Sequence, residues 1–582
     1  MQQLTEMDNN FLEAEKERAP LHISPVIVYD QSHRAEGKVR FKEILTVFER
    51  NLHKSPIFRR KLAGGAMGLD TPYWVEDPNF DLEFHVRHLA LPRPGDWRQF
   101  CILLSRLHAR GLDLKRPLWE AYVIEGLSGV EGLPGNSFAI MLKIHHAAID
   151  GVSGAEIVAA IHSLTDEVEP PPAADDWQGE RDPATWYVWS RAYLHNLKRP
   201  LKFFETVGSL VPAVIRANRI SGKRQGEQRK HRMARTRFNN RISASRVTEA
   251  HTMDLATIKD MRASLDIGVT INDIMVSIVG GGMRKYLDSK GELPADSLSC
   301  GAPISTRREH DGQSTGNQVS LMVIGLATDI ADPVERLRAV HDDAESAKAY
   351  TSTLGPSMIL DLSEMLIPQL MGWGFSAATL AATHTTMPMP FHTIVSNVPG
   401  PQFPLYLAGA RIHLTMGMGP LADMMGLFHA VISGAGKITI NFVSTREMLP
   451  DPLFYRSCLT QAYEELLAAA SGRKKPAKKR TNTPPRQRRR QYRGKAQEAL
   501  IENTAETTRH KGIIEKTQHQ GTTATAQGEG AKSLWAVKMV SSRPRRSRKT
   551  SPNSNRRRCA GMQTGHGRLL TQTGCHGSPE RR

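Results

Sequence analysis

Apolar residues recur along this chain at two spacings, and the change from one to the other marks its elements. Between Ser137 and Leu164, Phe138, Ile140, Leu142 and Ile144 alternate with Ala139, Met141 and Lys143. A period of two predicts a half-buried strand. The alternation stops at His145 and His146. Beyond Asp150 and Gly151 stands Ser153, a suitable N-cap, and Ile157, Ile161 and Leu164 follow at helical spacing. The prediction is strand, turn, helix, with Gly151 allowing the sharp corner.

The same reading extends to both sides. Ile23 to Tyr29 and Pro117 to Ile124 read as strands, and Tyr73, Trp74 and Val75 as an extended segment. Phe41 to Leu52 carries apolar residues at 41, 44, 45, 48 and 52, one helical face; Trp97, Phe100, Leu104 and Leu107 form another. Strands and helices interleave, which predicts an α/β (α+β) fold. Further along, Thr270 caps a predicted helix over I-N-D-I-M-V-S-I-V. Gln318 to Ile324 and Phe391 to Pro404 contain strands, and Met358 to Thr383 reads as an apolar helix. Leu427 to Ile432 and Lys437 to Val443 flank S-G-A-G, a hairpin signal, and a last helix runs from Pro452 to Ala470.

Pro170, Pro171 and Pro172 among acidic residues mark the exit from a first domain. We expect domains at 1–165 and 238–470, joined by crossover helices and a basic connector over 166–237. Residues 471–582 are a basic tail with too few aliphatic residues for a core, expected to be disordered. The tail holds 28 Lys or Arg against 6 Asp or Glu, a net of +22. The whole chain carries +18, so the first 470 residues carry −4. The body is therefore mildly acidic. Nucleic acid is not its expected partner; the tail alone has the charge for non-specific contact with nucleic acid or acidic headgroups.

Five cysteines, widely scattered and without C-x-x-C, fit a reduced compartment and no zinc site. The N-terminus lacks a basic n-region followed by an apolar core, and no run reaches the 18 or so apolar residues that span a bilayer. The expected location is cytoplasmic, with peripheral contact at most.

The turn after the central strand carries the chemistry. An imidazole has an unperturbed pKa of about 6.5, which suits a general base near neutral pH. Asp150 at the helix start orients the turn by hydrogen bonds and an ion pair. A metal is not expected, because adjacent His side chains on an extended segment diverge.

Several ordered motifs then point to one family. They are L-T-E-M-D-N-N-F-L at the start, P-L-W-E at Pro117 to Glu120, and H-H-A-A-I-D-G at His145 to Gly151. N-D at Asn272 and Asp273, P-I-S at Pro303 to Ser305, G-N at Gly316 and Asn317, and S-N-V-P-G-P at Ser396 to Pro401 follow. From Leu4 to about Ala470 the chain resembles the bacterial wax ester synthase/acyl-CoA:diacylglycerol acyltransferase family; the tail does not match it. The resemblance implies two chloramphenicol-acetyltransferase-like domains with a channel between them. It implies His146 as general base beside His145, Asp150 as chiefly structural, and Asn272 and Asp273 shaping the site from the other domain.

The implied reaction is direct acyl transfer from acyl-CoA, a substrate rather than a cofactor, to diacylglycerol or a long-chain alcohol. No cofactor or metal is required. Ser396, Asn397 and Asn272 are candidate oxyanion donors. Arg307 and Arg308 are candidates for meeting the CoA phosphates, but read more readily as solvated charges. The expected partner surface is the inner face of a membrane or a lipid droplet, in peripheral contact. Two other readings share the features: a condensation-type acyltransferase using a carrier-bound donor, and a non-catalytic lipid-surface protein with a nucleic-acid-binding tail. The first lacks any carrier or adenylation module here. The intact His-His-Asp set argues against the second.

Overall fold

The computed structural model describes residues 2–472 except 35–36, 65–69, 150–152, 169, 171–176, 195–196, 198–233, 306–318 and 355–390. The apolar stretch 358–383, the basic tail and most of the 166–237 connector therefore lie outside the described residues, as do Asp150, Gly151, Arg307 and Arg308.

In chain order the first half contains β1 (Gln2–Gln3), α1 (Glu6–Ala14), β2 (His22–Asp30), α2 (Phe41–Asn51), β3 (Arg60–Ala63) and β4 (Tyr73–Glu76). It continues with α3 (Leu82–His85), β5 (Val86–Ala90), α4 (Trp97–His108), β6 (Trp119–Glu125), β7 (Ser137–His145) and α5 (Ser153–Ala160). A helix over 185–194, α6, follows. The second half contains β8 (Arg246–Asp254), α7 (Leu255–Leu265), α8 (Ile271–Ser289), β9 (Ser299–Ser305), β10 (Val319–Gly325) and α9 (Pro333–Leu354). It ends with β11 (Thr393–Pro399), β12 (Tyr406–Leu407), β13 (Ala410–Met418), β14 (Leu427–Gly434), β15 (Lys437–Thr445) and α10 (Pro452–Gly472).

Two six-stranded sheets carry the fold, ordered β12-β13-β2-β7-β6-β5 and β10-β9-β11-β14-β15-β8; β1, β4 and β3 form a small third sheet. The expected boundary at residue 238 does not divide the sheets. The second half donates β13 back to the first sheet, where it pairs antiparallel with β2 from Arg411↔Asp30 to Met418↔Ser24. Near this strand the two sheets come close because side chains are missing. A Cβ on Gly417 would lie 2.5 Å from the Ile432 side chain, and one on Gly419 would lie 2.2 Å from the Phe428 ring.

The central strand is β7, hydrogen-bonded to β2 and β6. The half-buried strand expected from its alternation is buried on both faces. Ile140, Leu142 and Ile144 pack with Ile44, Phe48, Trp119, Ile157 and Ile161. Full burial of such a side chain contributes about 1.5–3 kcal/mol. Ala139 and Met141, on the opposite face, join a core that continues into the second half through Met416, Val431 and Phe442. Local alternation cannot reveal a second covering layer supplied from far along the chain. The helix after the turn ends at Ala160, and Leu164, expected on its apolar face, lies beyond it and is 71% exposed.

Helix ends follow their local signals. Asp96 and Gln99 form a capping box on α4. On α8, the Asp273 N–H donates to Thr270 Oγ1 at 3.2 Å, and the Thr270 N–H donates to Asp273 Oδ2 at 2.8 Å. The hairpin between β14 and β15 turns at Ala435 and Gly436, both at positive φ. All described residues belong to one compact unit, Met1–Lys478.

Candidate active site

Strand β7 delivers two histidines to a point where three chain segments meet. The His145 N–H donates to Leu118 O at 3.0 Å, and the His146 N–H donates to Leu21 O at 2.9 Å. These bonds fix the backbone on either side of the strand end. A 3-10 turn, His146–Ala148, then carries the chain off the sheet.

The two rings have different surroundings. His145 is fully buried, and its Nδ1 accepts the Ala147 N–H at 3.1 Å. An accepting Nδ1 places the proton of the neutral ring on Nε2. Nε2 lies 3.4 Å from Glu15 Oε2, while Glu15 Oε1 accepts the Leu21 N–H at 3.0 Å. The Nδ1 of His145 is thus committed to the turn, while its Nε2 lies near the Glu15 carboxylate without a hydrogen bond. His146 is only half-buried, and its ring stacks on Phe11 with centroids 4.0 Å apart and planes 18° apart. Burial, with neighbouring His145 adding to it, pushes its pKa down to about 4. The ring is neutral at physiological pH, the form that can accept a proton.

Behind the turn lies a buried polar layer. Lys143 is 0% exposed; its Nζ donates to Arg110 O at 2.7 Å and sits 3.5 Å from Glu120 Oε2. Glu120 also accepts the Tyr122 hydroxyl at 2.5 Å and pairs with Arg87 at 3.1 Å. Burial lowers the Lys143 pKa against the opposing pull of Glu120. The P-L-W-E motif therefore works from behind the site. The Leu118 carbonyl holds His145, Trp119 donates to Phe58 O at 2.9 Å, and Glu120 compensates a buried ammonium. His22, opposite His145 in the β2–β7 register, donates from Nε2 to His108 O at 3.0 Å. His108 donates from Nε2 to Gly419 O at 3.0 Å, so its Nδ1 accepts the Ser24 hydroxyl at 2.9 Å. Burial takes His108 down to about 3.

From the second half, Asn272 in the first turn of α8 and Asn397 on β11 come together: Asn397 Nδ2 donates to Asn272 Oδ1 at 3.2 Å. Ser396 is the preceding residue on the same strand, and both it and Asn397 are half-buried. Asp273 is 1% exposed; besides capping α8 it lies 2.8 Å from His341 Nδ1. Its carboxylate organises the start of the helix that carries Asn272.

Sequence reasoning gave no role to Phe11, Glu15, Lys143 or His341. Phe11 stood inside the opening motif, and Glu15 lies four residues on, one helical turn away. That spacing was the available signal for a shared face. Arg18, just downstream, grips Asp423 with two bonds of 2.5 and 2.6 Å and donates to Ile242 O at 3.2 Å, tying this segment to the second half. Among the described residues, no group of three or more His, Cys, Asp or Glu side chains is arranged to hold a metal ion. No helix among them is long and apolar enough to cross a membrane.

Comparison with known proteins bears on this geometry. A family model described as "Wax ester synthase/diacylglycerol acyltransferase catalytic domain" matches residues 4–275, and one described as "WS/DGAT C-terminal domain" matches 315–467. The chain is 30% identical over 470 residues to Rv1760 of Mycobacterium tuberculosis H37Rv, which is named for diacylglycerol O-acyltransferase activity; the match spans 80% of this chain and 90% of that protein. Rv3480c of the same strain, similarly named, is 33% identical over 413 residues, spanning 65% of this chain and 80% of that protein. The solved wax ester synthase/diacylglycerol acyltransferase of Marinobacter aquaeolei VT8 has the same fold, with a TM-score of 0.58 at 23% identity; the match covers 81% of this chain and all of that one.

Proposed function

The chain belongs to the wax ester synthase/diacylglycerol acyltransferase family, and from that premise we propose how its site works. It is an O-acyltransferase that moves a long-chain acyl group from acyl-CoA to diacylglycerol, giving triacylglycerol, or to a long-chain alcohol, giving a wax ester. His146 is the general base. It takes the hydroxyl proton as that oxygen attacks the thioester carbonyl. A C–O bond forms, the C–S bond breaks, and the imidazolium returns the proton to the departing thiolate. The observation that carries this assignment is that His145 is fully buried with its Nδ1 taken up by the Ala147 N–H, whereas His146 is only half-buried. Proton transfer therefore falls to His146.

Ser396 and Asn397 are our candidate donors to the oxyanion, with Asn272 orienting the Asn397 amide. Asp150 and Gly151, which lie outside the described residues, are assigned a structural rather than a catalytic role. Acyl-CoA enters as substrate, and no cofactor takes part. The acceptors are poorly soluble in water, so the enzyme works in peripheral contact with the inner face of a membrane or a lipid droplet.

The test is a purified-protein assay with palmitoyl-CoA and both acceptors, diacylglycerol and a long-chain alcohol, in competition. His146→Ala should lower turnover at least about 100-fold, the usual weight of a general base, while His145→Ala should cost less. Near-normal turnover by His146→Ala would refute the mechanism.

A further inference from the structure

The opening helix lies against both histidines, and the reaction above gives it no part. Phe11 covers one face of the His146 ring at 4.0 Å. One turn on, Glu15 reaches His145 Nε2 at 3.4 Å and the Leu21 N–H at 3.0 Å. The helix is braced at both ends. At its start Thr5 caps the Asp8 N–H at 3.1 Å, and the Leu4 N–H donates to Pro72 O at 2.9 Å. Past its end, Arg18 is held by Asp423, and Arg246 Nη2 donates to Arg18 O at 2.7 Å. A helix fixed from both halves can hold a ring against it to a small range of angles.

Each contact has a definite consequence. A stacked aromatic resists rotation of the imidazole about its Cβ–Cγ bond, because rotation would lift the ring off its partner. The carboxylate of Glu15 favours the His145 tautomer with the proton on Nε2. That tautomer leaves Nδ1 bare to accept the Ala147 N–H, the bond that holds the 3-10 turn carrying His146. The opposite tautomer would set an N–H against an N–H there and loosen the turn.

We propose that α1 and its C-cap form a positioning clamp for acyl transfer: Phe11 sets the ring plane of His146, and Glu15 sets the tautomer of His145 and through it the turn. Phe11 and Glu15 are positioning residues that act through the two imidazoles. The inference rests on His146 being the base.

The experiment compares Phe11→Leu, Phe11→Tyr, Glu15→Leu and Glu15→Gln with wild type and His146→Ala in the full chain. The readouts are kcat, KM for palmitoyl-CoA and Tm. Phe11→Leu keeps apolar volume but loses the flat ring, so kcat should fall about 10- to 100-fold, the scale of a misplaced reacting group. KM should stay within about twofold, and Phe11→Tyr should restore kcat. Glu15→Gln keeps one acceptor oxygen and should retain more kcat than Glu15→Leu at equal Tm. Wild-type kcat in both Phe11→Leu and Glu15→Leu, with His146→Ala inactive, overturns the clamp and leaves the base assignment standing. So does a kcat loss in every variant that merely follows its loss of Tm. An active His146→Ala overturns both.

Discussion

The depressed pKa of His146 gives the enzyme a pH profile unlike that of an ordinary histidine base. The perturbation is a fall in pH from 7.5 to 5.5. A histidine titrating at its usual value of about 6.5 would be roughly nine-tenths protonated at pH 5.5, and a rate that depends on the neutral ring would drop about tenfold. Burial and the neighbouring His145 hold His146 at about 4. About 97% of the ring then stays neutral at pH 5.5, and the rate falls by only a few per cent. The Phe11 ring stacked on the imidazole is apolar and offers no charge to stabilise an imidazolium. The assay is kcat/KM for a soluble acyl-CoA across this range, since that quantity reports the free enzyme's base. Circular dichroism at each pH confirms the fold. A flat profile down to pH 5.5 is expected. An acid limb bending near 6.5 would refute the argument that this ring's burial governs its protonation.

Stability should be more acid-sensitive than turnover. Burial holds His108 and His429 neutral in the fold with pKa values of about 3. Their folded values lie below the unfolded value of about 6.5, so the stability they confer is full above pH 6.5 and is lost as pH falls towards 3. At pH 5 the loss is about 2 kcal/mol for each, measurable as the difference between urea denaturation at pH 7.5 and pH 5; equal stabilities at the two values would contradict it. Gly280→Ala would place a Cβ 2.2 Å from Leu326 O, inside the packing of α8, and should destabilise by about 3 kcal/mol in the same assay; a change below about 1 kcal/mol would show that the helix can shift. Truncation after Lys478, where the compact unit ends, should leave acyl transfer from soluble acyl-CoA intact. The same truncation should weaken binding to anionic vesicles, most at low salt, because it removes most of a tail of net charge +22. Vesicle binding unchanged at every salt concentration would exclude that role for the tail.

The sequence by itself settled the local events of this fold. The strand over Ser137–His145, the Thr270 cap on α8 and the β14–β15 hairpin were all legible, because each is fixed by residues within a few positions of one another. The pair His145 and His146 at a strand end was equally legible, and the ordered motifs indicated the family.

Tertiary structure decided what the local pattern leaves open. Adjacent histidines look alike in sequence. They are told apart by Glu15 and Phe11, which reach them from a helix far upstream. Both faces of β7 are buried because the second half covers the side that carries Lys143, and Glu120 compensates that ammonium from the next strand. Asn272 and Asn397 lie far apart in sequence and meet only once α8 and β11 are packed. The return of β13 to the first sheet followed from no local signal. Periodicity and caps depend on near neighbours along the chain; the partner of a buried hydrogen-bonding group depends on which distant segment the topology sets beside it.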